Sequence, residues 1–236
     1  GMMMRFEYWF DVSCPFCFIA HQRLLEAISL FPDEEVSIIY KAYQLQVDLP
    51  KESLEDYLHD FARIHHLNIA QVQAALASVT NIALECDLNF DWEHAHLTNT
   101  FDAHLLVQLA QTKERATEVV LALFQAYFLE GKNVANRDFL QSIAKSYGLL
   151  ENNDISIWDE PSLSQKIIRH QKEAEHYHIQ GVPYLIVNRK YSIIGLQTTQ
   201  HYLNVMKSIR KESHQDRLPE EKDQTTYCVG DRCYRK

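Results

Sequence analysis

Hydrophobic and polar positions change period twice along the chain. From Arg5 to Phe10 ("RFEYWF") aromatic residues dominate, the composition of a strand. Ile19, Leu24, Leu25 and Ile28 then recur at helical spacing until Phe31-Pro32 stops the helix. Val36 to Tyr40 ("VSIIY") predicts a second, buried strand, which completes a βαβ unit. Helical periods take over from Pro50. "ESLEDYLHDFARIHHL" puts Leu54, Leu58 and Phe61 on one face, and "NIAQVQAALASVTNIALECDL" does the same with Ile69, Val72, Leu76, Val79 and Ile82. "TNTFDAHLLVQLAQT" follows with an Asn99 cap, and "RATEVVLALFQAYFLEG" ends on Gly131. "NRDFLQSIAKSYG" runs from an Asn cap to a Gly stop, and "SLSQKIIRHQKEAEHYH" closes the helical block. Strand composition returns in "PYLIVN" and "YSIIG", joined by a turn, before Thr198 caps a last helix with Tyr202, Val205, Met206 and Ile209 on one face. Beyond Arg210 the pattern lapses into a charged stretch and the tail "YCVGDRCYRK".

The order is therefore βαβ, a helical block, then ββα. The outer pieces together make one mixed α/β sheet, so the block reads as an insertion. The 236 residues are enough for one substantial core or two smaller ones. A formal charge of -9 argues against nucleic acid as a partner, because no basic stripe is present to displace phosphate counterions. No run approaches the roughly 20 apolar residues that span a bilayer, so no membrane partner is expected. "GMMMRFEYWF" shows no leader pattern, and a cytoplasmic location is the expectation. In a reducing compartment the five cysteines are not read as a disulfide framework.

Two of them stand three residues apart, Cys14 and Cys17, between the first strand and the first helix. One helical turn brings their Cα atoms to about 5 to 6 Å, within reach of a disulfide. If Cys14 is the N-cap and Pro15 the first helical residue, the Cys14 sulfur faces the unpaired amides of the first turn, that of Cys17 among them. Those donors and the helix dipole favour the thiolate, making Cys14 the nucleophile and Cys17 the resolving thiol. Half a zinc site and two inert buried thiols remain alternatives. In "IQGVPYLIVN", Pro183 heads a strand, where a cis Val182-Pro183 bond would fit a special turn and an ordinary trans proline would fit an edge. In the cis form the Val182 backbone could pair with an extended thiol substrate beside Cys14.

"FDVSCPFCFIAHQRL", "YQLQVDLP", "NTFDAHLL", "LFQAYFLEG" and "GVPYLIVNRKYSIIGLQ", in this order, resemble the DsbA-like thioredoxin-fold family, and within it the FrnE-like branch of dithiol-disulfide oxidoreductases. The resemblance implies a thioredoxin fold interrupted by an all-helical insertion domain: residues 1–48 and 178–212 the two thioredoxin halves, 49–177 the insertion, 213–236 a flexible tail. It implies catalytic Cys14 and Cys17, a cis Pro183, and Gln44, Asn99 and His104 lining the cleft as substrate-binding positions beside Val182 and Pro183. Ala20 and His21 depart from the residues common there, and His21 is expected at a solvated helix position. The family pattern also fits the Cys228 and Cys233 pair, which could exchange disulfides with the active site across the charged linker as an auxiliary redox pair. Two free thiols on a disordered end are the other reading. Cys86 is expected to be a buried small hydrophobe.

The implied activity is thiol-disulfide oxidation, reduction or isomerisation through a mixed disulfide, with protein or small-molecule thiols and disulfides as partners. No cofactor or metal is expected, and glutathione is a candidate redox partner. Two alternatives stand beside it. Kappa-class glutathione transferases and 2-hydroxychromene-2-carboxylate isomerases share the architecture but resemble it with a serine where Cys14 stands. A zinc-binding module would need Cys14, Cys17, Cys228 and Cys233 as four ligands.

Overall fold

The structure, a computed structural model, describes residues 3–31, 35–150, 156–215, 226–229 and 232–235, and beyond residue 212 the backbone alone. The first strand β1 (Met3–Phe10), helix α1 (Pro15–Ser29) and strand β2 (Glu35–Ala42) form the expected βαβ unit. Helices α2 (Tyr57–His65), α3 (Ile69–Leu84), α4 (Phe101–Thr112), α5 (Ala116–Phe128), α6 (Arg137–Ser146) and α7 (Pro161–His176) follow. Strands β3 (Tyr184–Val187) and β4 (Tyr191–Ile194) and helix α8 (Thr199–Gln215) return to the sheet. The sheet order is β2-β1-β3-β4, with β1 parallel to β2 and antiparallel to β3.

Strand β1 is buried on both faces, which explains its unbroken hydrophobic run. Phe6, Tyr8 and Phe10 join the main core with residues of α1 and α8, while Trp9 packs on the opposite face with Ala174, Ile179 and Ile186. The helical block does more than sit beside this sheet. The open edge of β2 is closed by side chains: Gln111 on α4 accepts from the Tyr40 amide at 3.0 Å, and Gln108 donates to the Tyr40 carbonyl at 3.0 Å. His170 on α7 accepts from the Ala42 amide through Nδ1 at 3.1 Å. An edge strand left with unpaired amides would be a pairing hazard, and here the insertion covers it.

Helix α2 begins at Tyr57, so Leu54 lies outside it and is 69% exposed, against the expectation that it shares an inner face with Leu58 and Phe61. Capping decides this start. Asp56 accepts from the His59 amide at 2.9 Å, and the buried Asp60 carboxylate takes the amides of Leu54 and Glu55. Gly131 follows α5 at φ +63°, and a Cβ there would stand 2.8 Å from the His94 Cβ, so position and space both call for glycine. The charged stretch after Arg210 stays helical to Gln215. Within the segment expected as a flexible tail, β5 (Thr226–Val229) and β6 (Arg232–Arg235) pair antiparallel, with Cys228 opposite Cys233.

Candidate active site at the head of the first helix

Cys14 is the N-cap of α1, in extended conformation, and Pro15 opens the helix. The Cys17 amide donates to the Cys14 sulfur at 3.3 Å, the contact that the spacing predicts. Phe18, the next residue, stacks on Phe124 of α5 with ring centroids 5.0 Å apart, which ties the cysteine-bearing turn to the insertion. Both cysteines are free thiols, but they differ in surroundings. Cys17 is fully buried, and burial, followed by the nearby Cys14 sulfur, pushes its thiol well above the ordinary value. Cys14 lines a cavity of about 510 Å³. The Val182-Pro183 bond is cis, and the Val182 carbonyl accepts from the Cys14 sulfur at 4.0 Å, with both residues lining the cavity.

Beneath the cysteines lies a buried acid absent from the residues singled out in the sequence. The backbone carbonyl of Asp11 accepts from the Cys14 amide at 3.1 Å. Its carboxylate receives the Leu45 amide at 2.8 Å, the Ser13 hydroxyl at 3.1 Å and the His104 Nε2 at 3.0 Å. Burial opposes the Asp11 charge, but the His104 hydrogen bond and neighbouring imidazole, with Leu45 and Thr100, outweigh it and hold the carboxyl below the usual carboxylate range. Tyr8 donates to the Cys17 carbonyl at 2.6 Å. One acid thus joins the cysteine loop, the loop after β2 and α4. The signal was present as Asp11 in "FDVSC", but nothing local distinguishes a buried acid from a solvated one.

The structure separates the expected cleft residues. Val182 lines the cavity, and Pro183 is buried beside it. Gln44, Asn99 and His104 do not line it. His104 is fully buried against Asp11. Asn99 donates to the carbonyls of Val47 at 3.1 Å and Leu49 at 2.9 Å, while its own oxygen accepts from the Phe101 amide at 2.8 Å. Gln44 reaches Asn99 and Thr100 at 3.4 Å. These two therefore pin the loop after β2 to the start of α4, and that loop supplies Leu45, Gln46 and Leu49 to the cavity wall.

His21 is fully buried, not solvated, because its position one turn after Cys17 falls on the inner face of α1. Its Nε2 meets the Tyr40 hydroxyl at 2.7 Å, and burial pushes its pKa down to about 3. Cys86 is only partly buried, since α3 ends at Leu84 and leaves it in the following turn. For Cys228 and Cys233 the strand register is described, while their side chains lie outside the described residues. The four-thiolate zinc reading falls on those same side chains.

This asymmetry makes one prediction. At neutral pH a small alkylating agent such as iodoacetamide should modify Cys14 and leave Cys17 untouched in the native protein, read by peptide mass mapping. Equal modification of both would contradict the burial of Cys17.

A family model for the DSBA-like thioredoxin domain matches residues 5–207. The chain belongs to this family. A thiol:disulfide interchange protein DsbA from Pseudomonas syringae pv. tomato is 28% identical over 110 residues, a match covering 46% of this chain and 51% of that relative, so the chain spans about half the relative's length. Among solved structures, a probable DsbA oxidoreductase from Streptomyces coelicolor superposes with a TM-score of 0.78 at 22% identity, covering 98% of each chain. A 2-hydroxychromene-2-carboxylate isomerase gives 0.64 at 13% identity, covering 92% of this chain and 98% of the other. The cytosolic disulfide reductase DsbM from Pseudomonas aeruginosa, solved with GSH, gives 0.59 at 15% identity, covering 91% and 100%. At these identities the structural likenesses establish the DSBA-like fold with its helical insertion.

Proposed function

We propose that the protein is a thiol-disulfide oxidoreductase of the FrnE-like branch, with Cys14 as nucleophile and Cys17 as resolving thiol. The carrying observation is the unequal pair: a Cys14 sulfur facing a helix-terminal amide and an open cavity, backed by a sealed Cys17. The sulfur sits at the helix N-terminus within reach of the Cys17 amide, and a thiolate is the species that attacks a disulfide. Cys17, one turn away, then expels the bound partner and closes the Cys14-Cys17 disulfide. Val182 offers its carbonyl to the substrate beside the Cys14 sulfur, and Pro183 sets the turn that presents it. Gln44, Asn99 and His104 act by positioning the loop and Asp11, not by touching substrate.

A reducing, cytoplasmic setting suits a free dithiol, and there reductase or isomerase work is favoured over oxidation. The test is insulin-disulfide reduction and scrambled-ribonuclease reactivation by the purified protein in a glutathione buffer. Activity in either assay supports the proposal. The 2-hydroxychromene-2-carboxylate isomerase likeness supplies the second reading, a glutathione-dependent isomerase, and inactivity in both assays would favour it.

Cys228 and Cys233 are partners in the backbone register of β5 and β6, which supports an auxiliary redox pair that recharges or discharges the Cys14-Cys17 dithiol. A Cys228→Ser/Cys233→Ser variant should keep single-turnover chemistry at Cys14 but re-oxidise more slowly, as followed by thiol titration. Unchanged re-oxidation would remove the auxiliary role.

A further inference from the structure

The cavity beside Cys14 has a composition unlike the rest of the chain. Its walls are Tyr57 and Phe61 of α2, Leu76 and Val79 of α3, and Leu97 from the approach to α4. The chain carries 23 Lys and Arg and 32 Asp and Glu, yet among the described residues that line this cavity there is none of these. The His65 imidazole packs at a tilt on Phe61 with centroids 4.1 Å apart, and burial, then the neighbouring His66 imidazole, lowers its pKa. Polar capacity is limited to groups such as the Ser13 hydroxyl and the Gln46 amide.

We propose that this cavity binds the carbon skeleton of a low-molecular-weight, uncharged aromatic or alkyl disulfide or thiol and presents its sulfur to Cys14. The inference rests on the oxidoreductase reading above and names the substrate class of that site. A volume of about 510 Å³ suits a small molecule. Glutathione would bring two carboxylates and an ammonium group to a lining without a compensating charge, and desolvating them unpaired is costly. A peptide strand entering the cavity could pair one amide with the Val182 carbonyl, but its remaining amides would stand against apolar walls. A compact apolar group incurs neither cost and removes its own surface from water.

For a benzyl disulfide the step balances as follows. The Cys14 thiolate attacks one sulfur, the substrate S–S bond breaks, and one benzyl thiolate leaves and takes a proton from solvent. Cys17 then attacks the Cys14 mixed disulfide, expels the second benzyl thiolate and closes the Cys14-Cys17 bond. The dithiol loses two electrons and two protons, and the substrate gains both.

The experiment uses the full chain in its reduced form, reacted with dibenzyl disulfide, bis(2-hydroxyethyl) disulfide and oxidised glutathione, with mixed-disulfide formation followed by mass spectrometry of acid-quenched samples. Each rate is divided by that of N-acetylcysteine in the same solvent, which removes intrinsic reactivity. The normalised rate for the benzyl compound should exceed that for the hydroxyethyl compound by roughly tenfold to hundredfold, the effect of burying one aromatic group. Ala75, exposed on α3 at the cavity's edge, provides the variants. Ala75→Glu should lower the benzyl preference several-fold, and Ala75→Lys should raise the oxidised-glutathione rate. A normalised benzyl preference near one, or a preference indifferent to both Ala75 variants, overturns the cavity's role while leaving Cys14 chemistry standing. Failure of all three disulfides to react at Cys14 overturns the oxidoreductase reading itself.

Discussion

Replacing Cys14 by serine should bring disulfide exchange down to the uncatalysed background while leaving the fold intact. The two halves of this expectation have separate causes. Serine is among the best N-cap residues, so its hydroxyl can accept the Cys17 amide that the sulfur now accepts, and stability should stay within about 0.5 kcal/mol. A hydroxyl forms no mixed disulfide under these conditions, so insulin reduction should vanish with no change in the thermal transition. The companion variant Cys17→Ala keeps the nucleophile and removes the resolving thiol. It should form the first mixed disulfide and then stall, so that substrate remains covalently attached on a non-reducing gel. Full turnover by Cys14→Ser would exclude that sulfur as the nucleophile, and absence of a trapped adduct with Cys17→Ala would exclude Cys17 as its resolver.

Lowering the pH from 7 to 5 should destabilise the protein by about 4 kcal/mol, read as the change in unfolding free energy from urea titrations. Two histidines carry most of it. His21 is pushed down to about 3 by burial, and His170 to about 3 by burial and then by the Lys41 charge. The geometry agrees, since the His170 Nδ1 accepts the Ala42 amide and cannot hold a proton while it does so. A histidine with a depressed folded pKa binds fewer protons in the native state than in the unfolded one. Its contribution is fully present above the unfolded value near 6.5 and is lost as the pH falls towards 3. Each group loses about 2 kcal/mol between pH 7 and 5. His59 and His94 act in the opposite sense, raised by Asp56 and Asp91, but both lie on the surface and their pairs are screened by solvent. Asp11, held below the usual range, begins to add to the loss only under more acid conditions. His21→Leu should remove about half of the dependence. A flat stability profile over this interval would mean that neither imidazole is excluded from water as the structure shows.

Much of the site was legible because its chemistry is local. The Cys14 cap, the Pro15 start and the Cys17 donor occupy one turn, and the covalent geometry of a helix N-terminus leaves them few alternatives. The Val182-Pro183 turn was likewise contained in adjacent residues. The histidines were harder to place. His21 and His104 sit in helices whose inner faces are set by partners far away in sequence, so local pattern does not separate a solvated or cleft position from the sealed one that both occupy. The start of α2 moved for a comparable reason, since the amides taken up by Asp60 exclude Leu54 from the helix despite its matching hydrophobic period.

The residue pattern by itself determined the βαβ and ββα halves, the helical insertion between them and the dithiol at the first helix, because each follows from periodicity, capping and spacing within one element. Tertiary structure alone decided that α4 closes the edge of β2, that Asp11 and His104 meet under the cysteines, and that α2, α3 and the loop pinned by Asn99 enclose an uncharged cavity. Those features join residues that are distant in the chain. They depend on which buried polar groups find partners when the faces close, and no local pattern encodes that outcome.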